Sequence, residues 1–119
     1  MTHPRHGTIL VIDDEEIMRE ILETLLVREG YHVRVASTGT EGIELARSMP
    51  FDAAVVDVMM PGLDGIATLE ELKTIDDDLP VVMVTAFASV ETAIAAMKRG
   101  AFDYITKRPR RDATPGIAP

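Results

Sequence analysis

Short apolar runs alternate along the chain with segments in which apolar residues recur every three or four positions. The runs are typical of strands buried in a parallel sheet, and the periodic segments are typical of helices that cover it. Five strands and four helices in strict alternation are therefore predicted. The predicted strands span residues 8–12, 32–36, 53–57, 80–85 and 102–105.

The segments between these strands predict helices with one apolar side each. Acids at 13–16 precede the first helix, which ends at Gly30, and Thr38 with Glu41 forms a capping box for the second. The pattern predicts an open, doubly wound α/β fold of the flavodoxin-like topology, with five parallel strands. Apolar stripes mark the first helix (Ile17, Met18, Ile21, Leu22, Leu25, Leu26), which should face the core, and the fourth (Val90, Ala93, Ile94, Met97).

Polar residues follow four of the predicted strands at their carboxyl ends. Asp13 and Asp14 follow the first, Asp57 ends the third, Thr85 ends the fourth, and Lys107 follows the fifth. These ends meet at one edge of a doubly wound sheet, where three close carboxylates repel each other unless a hard divalent cation such as Mg²⁺ joins them. A lysine and a hydroxyl beside that metal indicate a phosphoryl site, with one carboxylate as nucleophile.

Composition narrows the class of protein further. The 119 residues suffice for one compact domain, and the absence of cysteine excludes disulfides, thiolate metal sites and thiol catalysis. A formal net charge of −8 disfavours direct binding of nucleic acid or of an anionic membrane. No apolar run reaches the roughly 18 residues of a membrane span, so we expect a cytoplasmic protein.

Four motifs at the strand ends resemble the receiver domain of bacterial two-component response regulators. They are Val11-Ile-Asp-Asp-Glu15, Val56-Asp-Val-Met-Met-Pro-Gly-Leu-Asp-Gly65, Val84-Thr-Ala86 and Gly100-Ala-Phe-Asp-Tyr-Ile-Thr-Lys107. The resemblance implies a signalling switch in which Asp57 accepts a phosphoryl group from a sensor histidine kinase in the presence of Mg²⁺, with Mn²⁺ as a substitute. It implies no turnover substrate, so the domain would assist only its own phosphorylation and dephosphorylation.

The same resemblance implies a role for each matching residue. Asp14, Asp57 and the backbone carbonyl of Met59 would bind the metal directly, and Asp13 would act mainly through a coordinated water. Lys107 would contact the acyl phosphate and Thr85 would turn inward to hydrogen-bond it. Tyr104 would rotate inward as Thr85 moves, which would change a surface formed by residues 89–105. That surface would control an output domain or a partner.

Two bulky apolar residues occupy positions that flank the phosphoryl group in receivers. Met59 lies two residues after Asp57, and Phe87 lies two residues after Thr85. We expect both side chains to exclude or misplace the attacking water and to make the phosphorylated state long-lived.

The resemblance ends after Lys107. Receivers usually continue with a proline and a fifth amphipathic helix, whereas this chain continues Arg108-Pro-Arg-Arg111 and carries no further apolar stripe. We therefore expect the fifth helix to be missing, with an N-terminal extension over 1–7, a receiver domain over 8–107 and a disordered or non-native tail over 108–119. Uncovered apolar surface on the first helix and the sheet edge would favour self-association.

Several alternatives remain open at this stage. The domain could be a degenerate receiver that acts only as a protein-interaction module, because the region after Lys107 is altered. A flavin or nucleotide binder would need a Gly-rich phosphate loop where Asp13 to Glu16 stand, and an aspartate-dependent phosphohydrolase would need an acid in place of Met59. A homodimer could form through 89–105 or through the uncovered surface, and nucleic acid would be reached only through an output domain outside this chain.

Overall fold

The computed structural model describes residues 7–60, 64–86 and 88–107, and these form one five-stranded parallel sheet with four helices. The strand order is β2-β1-β3-β4-β5, which confirms the predicted doubly wound architecture. The fifth-helix prediction and the tail lie outside the described residues. The elements are β1 Thr8–Ile12, α1 Glu16–Arg28, β2 His32–Ala36, α2 Gly39–Ser48, β3 Ala53–Asp57, α3 Gly65–Ile75, β4 Val81–Thr85, α4 Val90–Lys98 and β5 Asp103–Thr106.

Three strand boundaries, one in β4 and two in β5, differ from the prediction by one residue. β4 begins at Val81 rather than Pro80, because proline has no backbone N–H to donate to the ladder. β5 begins at Asp103 and continues to Thr106, which pairs with Thr85. The last residue of β5 therefore lies beside the last residue of β4.

The two faces of the sheet are buried to different extents. In β3 and β4, Val56 and Met83 are fully buried, whereas Val55 and Val84 are only partly buried. The buried face joins a core with residues of α2, α3 and α4. β2 lies on the other side of β1 from β3, so right-handed crossovers place α1 on the opposite face.

The apolar stripe of α1 is only half covered, which corrects the prediction that it faces the core. Ile17, Ile21 and Leu25 are exposed, at 72%, 46% and 47%, although all three belong to the predicted stripe. Met18, Leu22 and Leu26 are partly buried. α1 packs on β1 and β2, and that contact covers only one half of the stripe.

The stripe on α4 also faces outward. Val90, Ile94 and Met97 are 75%, 50% and 49% exposed, and the residue that α4 buries is Ala96. The helical period was predicted correctly, but its apolar side is the solvent side. A small residue lets α4 approach the sheet closely, while the larger residues remain on the surface.

The helix starts follow the capping rules in part. Thr38 accepts a hydrogen bond from the Glu41 N–H at 3.0 Å, as the predicted box requires. The Glu41 carboxylate instead reaches the backbone N–H of Ser37, one residue earlier than expected. Within the described residues no helix is both long enough and apolar enough to cross a bilayer.

Candidate functional site

Three carboxylates meet at the carboxyl edge of the sheet, as predicted. Asp13, Asp14 and Asp57 each place one oxygen within 4.8 Å of the others. Asp13 and Asp57 are 0% and 3% exposed, whereas Asp14 faces solvent. Two of the three charges therefore lie where water cannot screen their repulsion.

The backbone after β1 fixes Asp13 in this position. Its N–H donates to the Ala36 carbonyl at 3.1 Å, and its own carbonyl accepts from the Arg19 guanidinium at 2.7 Å. Its carboxylate accepts from the Glu15 N–H at 2.9 Å, which fixes the turn between β1 and the N-cap residue of α1. Arg19 is a positioning residue that the sequence reasoning missed, since nothing in its spacing marks it.

Asp57 is held by the end of β3 and by the start of α3. Its carboxylate accepts a hydrogen bond from the Met59 N–H at 3.2 Å. The first residue of α3, Gly65, donates its N–H to the Val58 carbonyl at 3.0 Å. A Cβ at this glycine would lie 2.2 Å from the Asp57 carbonyl oxygen, so only glycine permits this approach.

Lys107 brings the one ammonium group that contacts these acids among the described residues. Its Nζ lies 2.9 Å from Asp13, 3.0 Å from Glu15 and 3.5 Å from Asp57. Its backbone N–H donates to the Thr85 carbonyl at 2.7 Å, which ties the end of β5 to β4. Glu15 was predicted only as a helix-start acid, and its contact with Lys107 was missed.

These contacts change the acid–base properties of the site. Burial, together with the nearby charge of Asp13, raises the pKa of Asp57 from 3.8 to about 6, although Lys107 and the Met59 N–H oppose the rise. Burial lowers the pKa of Lys107, but the carboxylates of Asp13 and Glu15 outweigh it and raise that pKa to about 12. The site therefore holds a permanent cation beside a carboxylate that is costly to ionise.

A cavity of about 140 Å³ opens over Asp57. The exposed side chain of Met59 lies on its wall, and its place beside a phosphoryl group stays a prediction. Phe87, predicted to flank the other side, lies outside the described residues. The full set of lining residues is Asp14, Glu15, Asp57, Met59, Ala86 and Lys107.

The two predicted switch residues lie deeper and farther along the sheet. Thr85 is fully buried at the end of β4 and is not part of the cavity wall. Tyr104, on β5, packs against the core, and its phenol oxygen is hydrogen-bonded to the hydroxyl of Thr92 on α4. The structure thus brings Asp13, Asp14, Asp57 and Lys107 together, and leaves Thr85 and Tyr104 behind them.

The donor set fits a hard divalent cation. Carboxylate oxygens are the ligands that Mg²⁺ and Ca²⁺ prefer, and three of them converge here without sulfur or imidazole. Asp14 and Asp57 also line the cavity, so a cation held by them would be open to water and to an incoming phosphoryl group.

Comparison with known proteins identifies relatives of this chain. The sequence profile described as "Response regulator receiver domain" matches residues 9–114. The transcriptional regulatory protein ZraR of Escherichia coli is 45% identical over 107 residues, which are 90% of this chain and 24% of that protein. The chain therefore spans about a quarter of the length of this relative.

Solved structures share the fold. A response regulator protein from Burkholderia pseudomallei, with a phosphorylated aspartic acid, a calcium ion and citrate, is 33% identical with a TM-score of 0.82. That match covers 87% of this chain and 61% of the other. The chemotaxis protein CheY4 of Vibrio cholerae is 25% identical, with a TM-score of 0.83, over 88% of this chain and 89% of its own.

Proposed function

The chain belongs to the response regulator receiver domain family, and on that basis we propose that it is a signalling switch phosphorylated on Asp57. The phosphoryl donor is the phosphohistidine of a sensor kinase, and the reaction requires Mg²⁺, for which Mn²⁺ can substitute. The observation that carries this proposal is the position of Asp57. It is a buried carboxylate that lies in the cavity wall, 3.5 Å from an ammonium and within a cluster of acids.

The chemistry is a transfer between two nucleophiles. A carboxylate oxygen of ionised Asp57 attacks the phosphorus, a P–O bond forms, and the P–N bond to the kinase imidazole breaks with its electron pair passing to nitrogen. Asp57 is poised for this step because the Met59 N–H orients its carboxylate. The product is an acyl phosphate, and the kinase imidazole, which carries a proton on its other ring nitrogen, leaves as neutral histidine.

The surrounding charges have separate tasks. A divalent cation held by Asp14, Asp57 and the Met59 carbonyl, with Asp13 acting mainly through a coordinated water, would supply charge neutralisation for the phosphoryl oxygens. Lys107 supplies a second positive charge, for which its ammonium has only to shift from Asp13 toward Asp57. A raised pKa keeps that ammonium protonated throughout.

The output follows from residues behind the site. The acyl phosphate gives the Thr85 hydroxyl a new acceptor, and its movement favours an inward position of Tyr104. The surface of residues 89–105, which includes the exposed Ile94 and Met97, then changes and controls an output domain or a partner. We propose that the domain acts in the cytoplasm and has no turnover substrate.

Intact-mass analysis after incubation with acetyl phosphate and Mg²⁺ tests the proposal. We expect an adduct of about 80 Da, the mass of one phosphoryl group, on the wild-type chain. Asp57→Asn should give none, and Glu16→Gln, which removes an exposed acid outside the cluster, should label normally. An adduct that persists in Asp57→Asn would refute the assignment of the acceptor.

A second candidate function is an interaction module that needs no phosphoryl group. The observation that favours it is the exposed apolar surface of α4, which could bind a partner without a switch. A wild-type chain that remains unlabelled under conditions that label another receiver would support this second function.

A further inference from the structure

A hydrogen-bond network joins the phenol of Tyr104 to the first turn of α4. The phenol oxygen is hydrogen-bonded to the Thr92 hydroxyl, and it accepts from the Ser89 N–H at 3.4 Å. The Thr92 hydroxyl donates in turn to the Ser89 carbonyl at 3.3 Å. Ser89 is also the N-cap of α4, where its side chain accepts from the Thr92 N–H at 3.1 Å.

Counting donors gives one arrangement that satisfies every hydrogen bond of this network, with the Ser89 hydroxyl donating to the Thr92 hydroxyl at 2.9 Å. Each hydroxyl carries a single hydrogen. Tyr104 donates to Thr92, Thr92 donates to the Ser89 carbonyl, and the Ser89 N–H donates back to the phenol oxygen. The circuit closes, and it keeps the phenol at the start of α4.

We infer that Thr92 is a positioning residue that holds Tyr104 in its resting place and thereby sets the equilibrium of the switch. The inference rests on the proposed function. Any rotation of Tyr104 away from its present position, in which the ring packs against the core, must break its hydrogen bonds to Thr92 and Ser89. A group that stabilises only the resting state lowers the apparent affinity for any ligand that favours the other state.

The side chain of Thr92 contributes to this network differently from that of Ser89. Ser89 contacts Tyr104 through its backbone N–H, and its side chain serves as the helix cap and is hydrogen-bonded to the Thr92 hydroxyl at 2.9 Å. Thr92 contacts Tyr104 through its hydroxyl. Thr92→Val therefore removes the hydrogen bond to the phenol. Ser89→Ala removes the cap and the hydrogen bond between the Ser89 and Thr92 hydroxyls, but it leaves both direct contacts of the phenol in place.

The affinity for beryllium fluoride with Mg²⁺, a mimic of the phosphoryl group, tests the inference by calorimetry. We expect Thr92→Val to bind about fivefold more tightly than wild type, the change that corresponds to the loss of one ordinary hydrogen bond in the resting state. Ser89→Ala should lower the melting temperature and bind within about twofold of wild type. In Tyr104→Phe, which has already lost the contact, adding Thr92→Val should change nothing further.

Tyrosine fluorescence gives a second readout that a purely structural role would not move. The chain has two tyrosines and no tryptophan, so Tyr31→Phe leaves Tyr104 as the single fluorophore. Thr92→Val should shift its resting emission toward that of the beryllium fluoride complex. Equal affinity and equal emission in Thr92→Val and wild type would overturn the inference alone. A wild-type protein that binds no beryllium fluoride would overturn the proposed function as well.

Discussion

The sheet edge around Asp57 and the outer surface of α4 both depart from the usual distribution of residues, but in opposite directions. At the edge, Asp13 and Asp57 are buried and the Lys107 side chain is only 9% exposed. On α4, the large apolar residues Val90 and Ile94 are 75% and 50% exposed. One region buries charge and the other exposes hydrophobic surface.

The two regions differ in what offsets the unfavourable free energy of the buried charge and of the exposed apolar surface. At the edge, compensation comes from within the chain, because Lys107 pairs with both buried acids, although the raised pKa of Asp57 shows that it is incomplete. The surface of α4 has no comparable cover among the described residues. The edge has the charged groups that a divalent cation and a phosphoryl group require, and we propose that the α4 surface binds a macromolecule.

The largest expected effect comes from removing one charge from the edge. Asp14→Asn takes away an exposed carboxylate oxygen that converges on Asp57. Affinity for Mg²⁺, measured by calorimetry, should fall by at least about tenfold, because hard cations respond strongly to the number of charged ligands. Glu16→Gln removes a charge of the same sign two residues away and should bind as wild type. An equal loss of Mg²⁺ affinity in both variants would show that the cation responds to the overall negative charge of this region and not to a specific set of ligands.

The next effect concerns pH in the metal-free protein. The folded-state pKa of Asp57, about 6, lies above its ordinary 3.8, so the folded chain binds more protons than the unfolded chain in that interval. The stability that Asp57 contributes is thus complete below pH 3.8 and is lost as the pH rises through about 6. With chelator at neutral pH, Asp57→Asn should unfold with a free energy on the order of 2 kcal/mol above wild type.

Denaturant titrations of both proteins across this interval provide the measurement. The two stabilities should converge as the pH falls, since protonated Asp57 and asparagine carry the same charge. If the two stabilities change with pH in parallel, the ionised carboxylate of Asp57 does not destabilise the folded chain.

A smaller effect is expected from Met59 and Phe87, the two apolar residues predicted to flank the phosphoryl group. Met59→Asn combined with Phe87→Glu should hydrolyse the acyl phosphate several-fold faster, because polar groups at these positions would admit and orient water. The position of Met59 on the cavity wall agrees with this prediction. Loss of the adduct with time, followed by intact mass, gives the rate, and Met59→Leu should leave it unchanged. An unchanged or slower loss in the double variant would contradict the prediction.

The smallest effect on the fold is expected at α4. Ile94→Glu should change the free energy of unfolding by no more than about 0.5 kcal/mol, because the side chain is half exposed already. Labelling of Asp57 should not change, but the homodimer predicted through residues 89–105 should no longer form. Ile21→Glu is the matched control on α1, at 46% exposure. If the sedimentation coefficient of the phosphorylated chain changes only in Ile21→Glu, the dimer interface lies on the α1 surface instead.

The sequence predicted the strands and the edge better than it predicted the surfaces. Asp13, Asp57 and Lys107 could be placed because strand ends in a parallel sheet must converge, whatever the side chains do. The exposure of Ile17 and Ile94 could not, because periodicity identifies the apolar side of a helix but not what covers it. The hydrogen bond between Thr92 and Tyr104 was also missed, since it depends on how α4 packs against β5.

Trapping the acyl phosphate with borohydride tests the central claim most directly. Borohydride reduces an aspartyl phosphate to homoserine, and peptide mass spectrometry then locates the reduced residue. After acetyl phosphate and Mg²⁺, we expect homoserine at position 57 alone, with Asp13 and Asp14 unchanged. Homoserine at either of those positions, or at none in a chain that carries the adduct, would contradict the account.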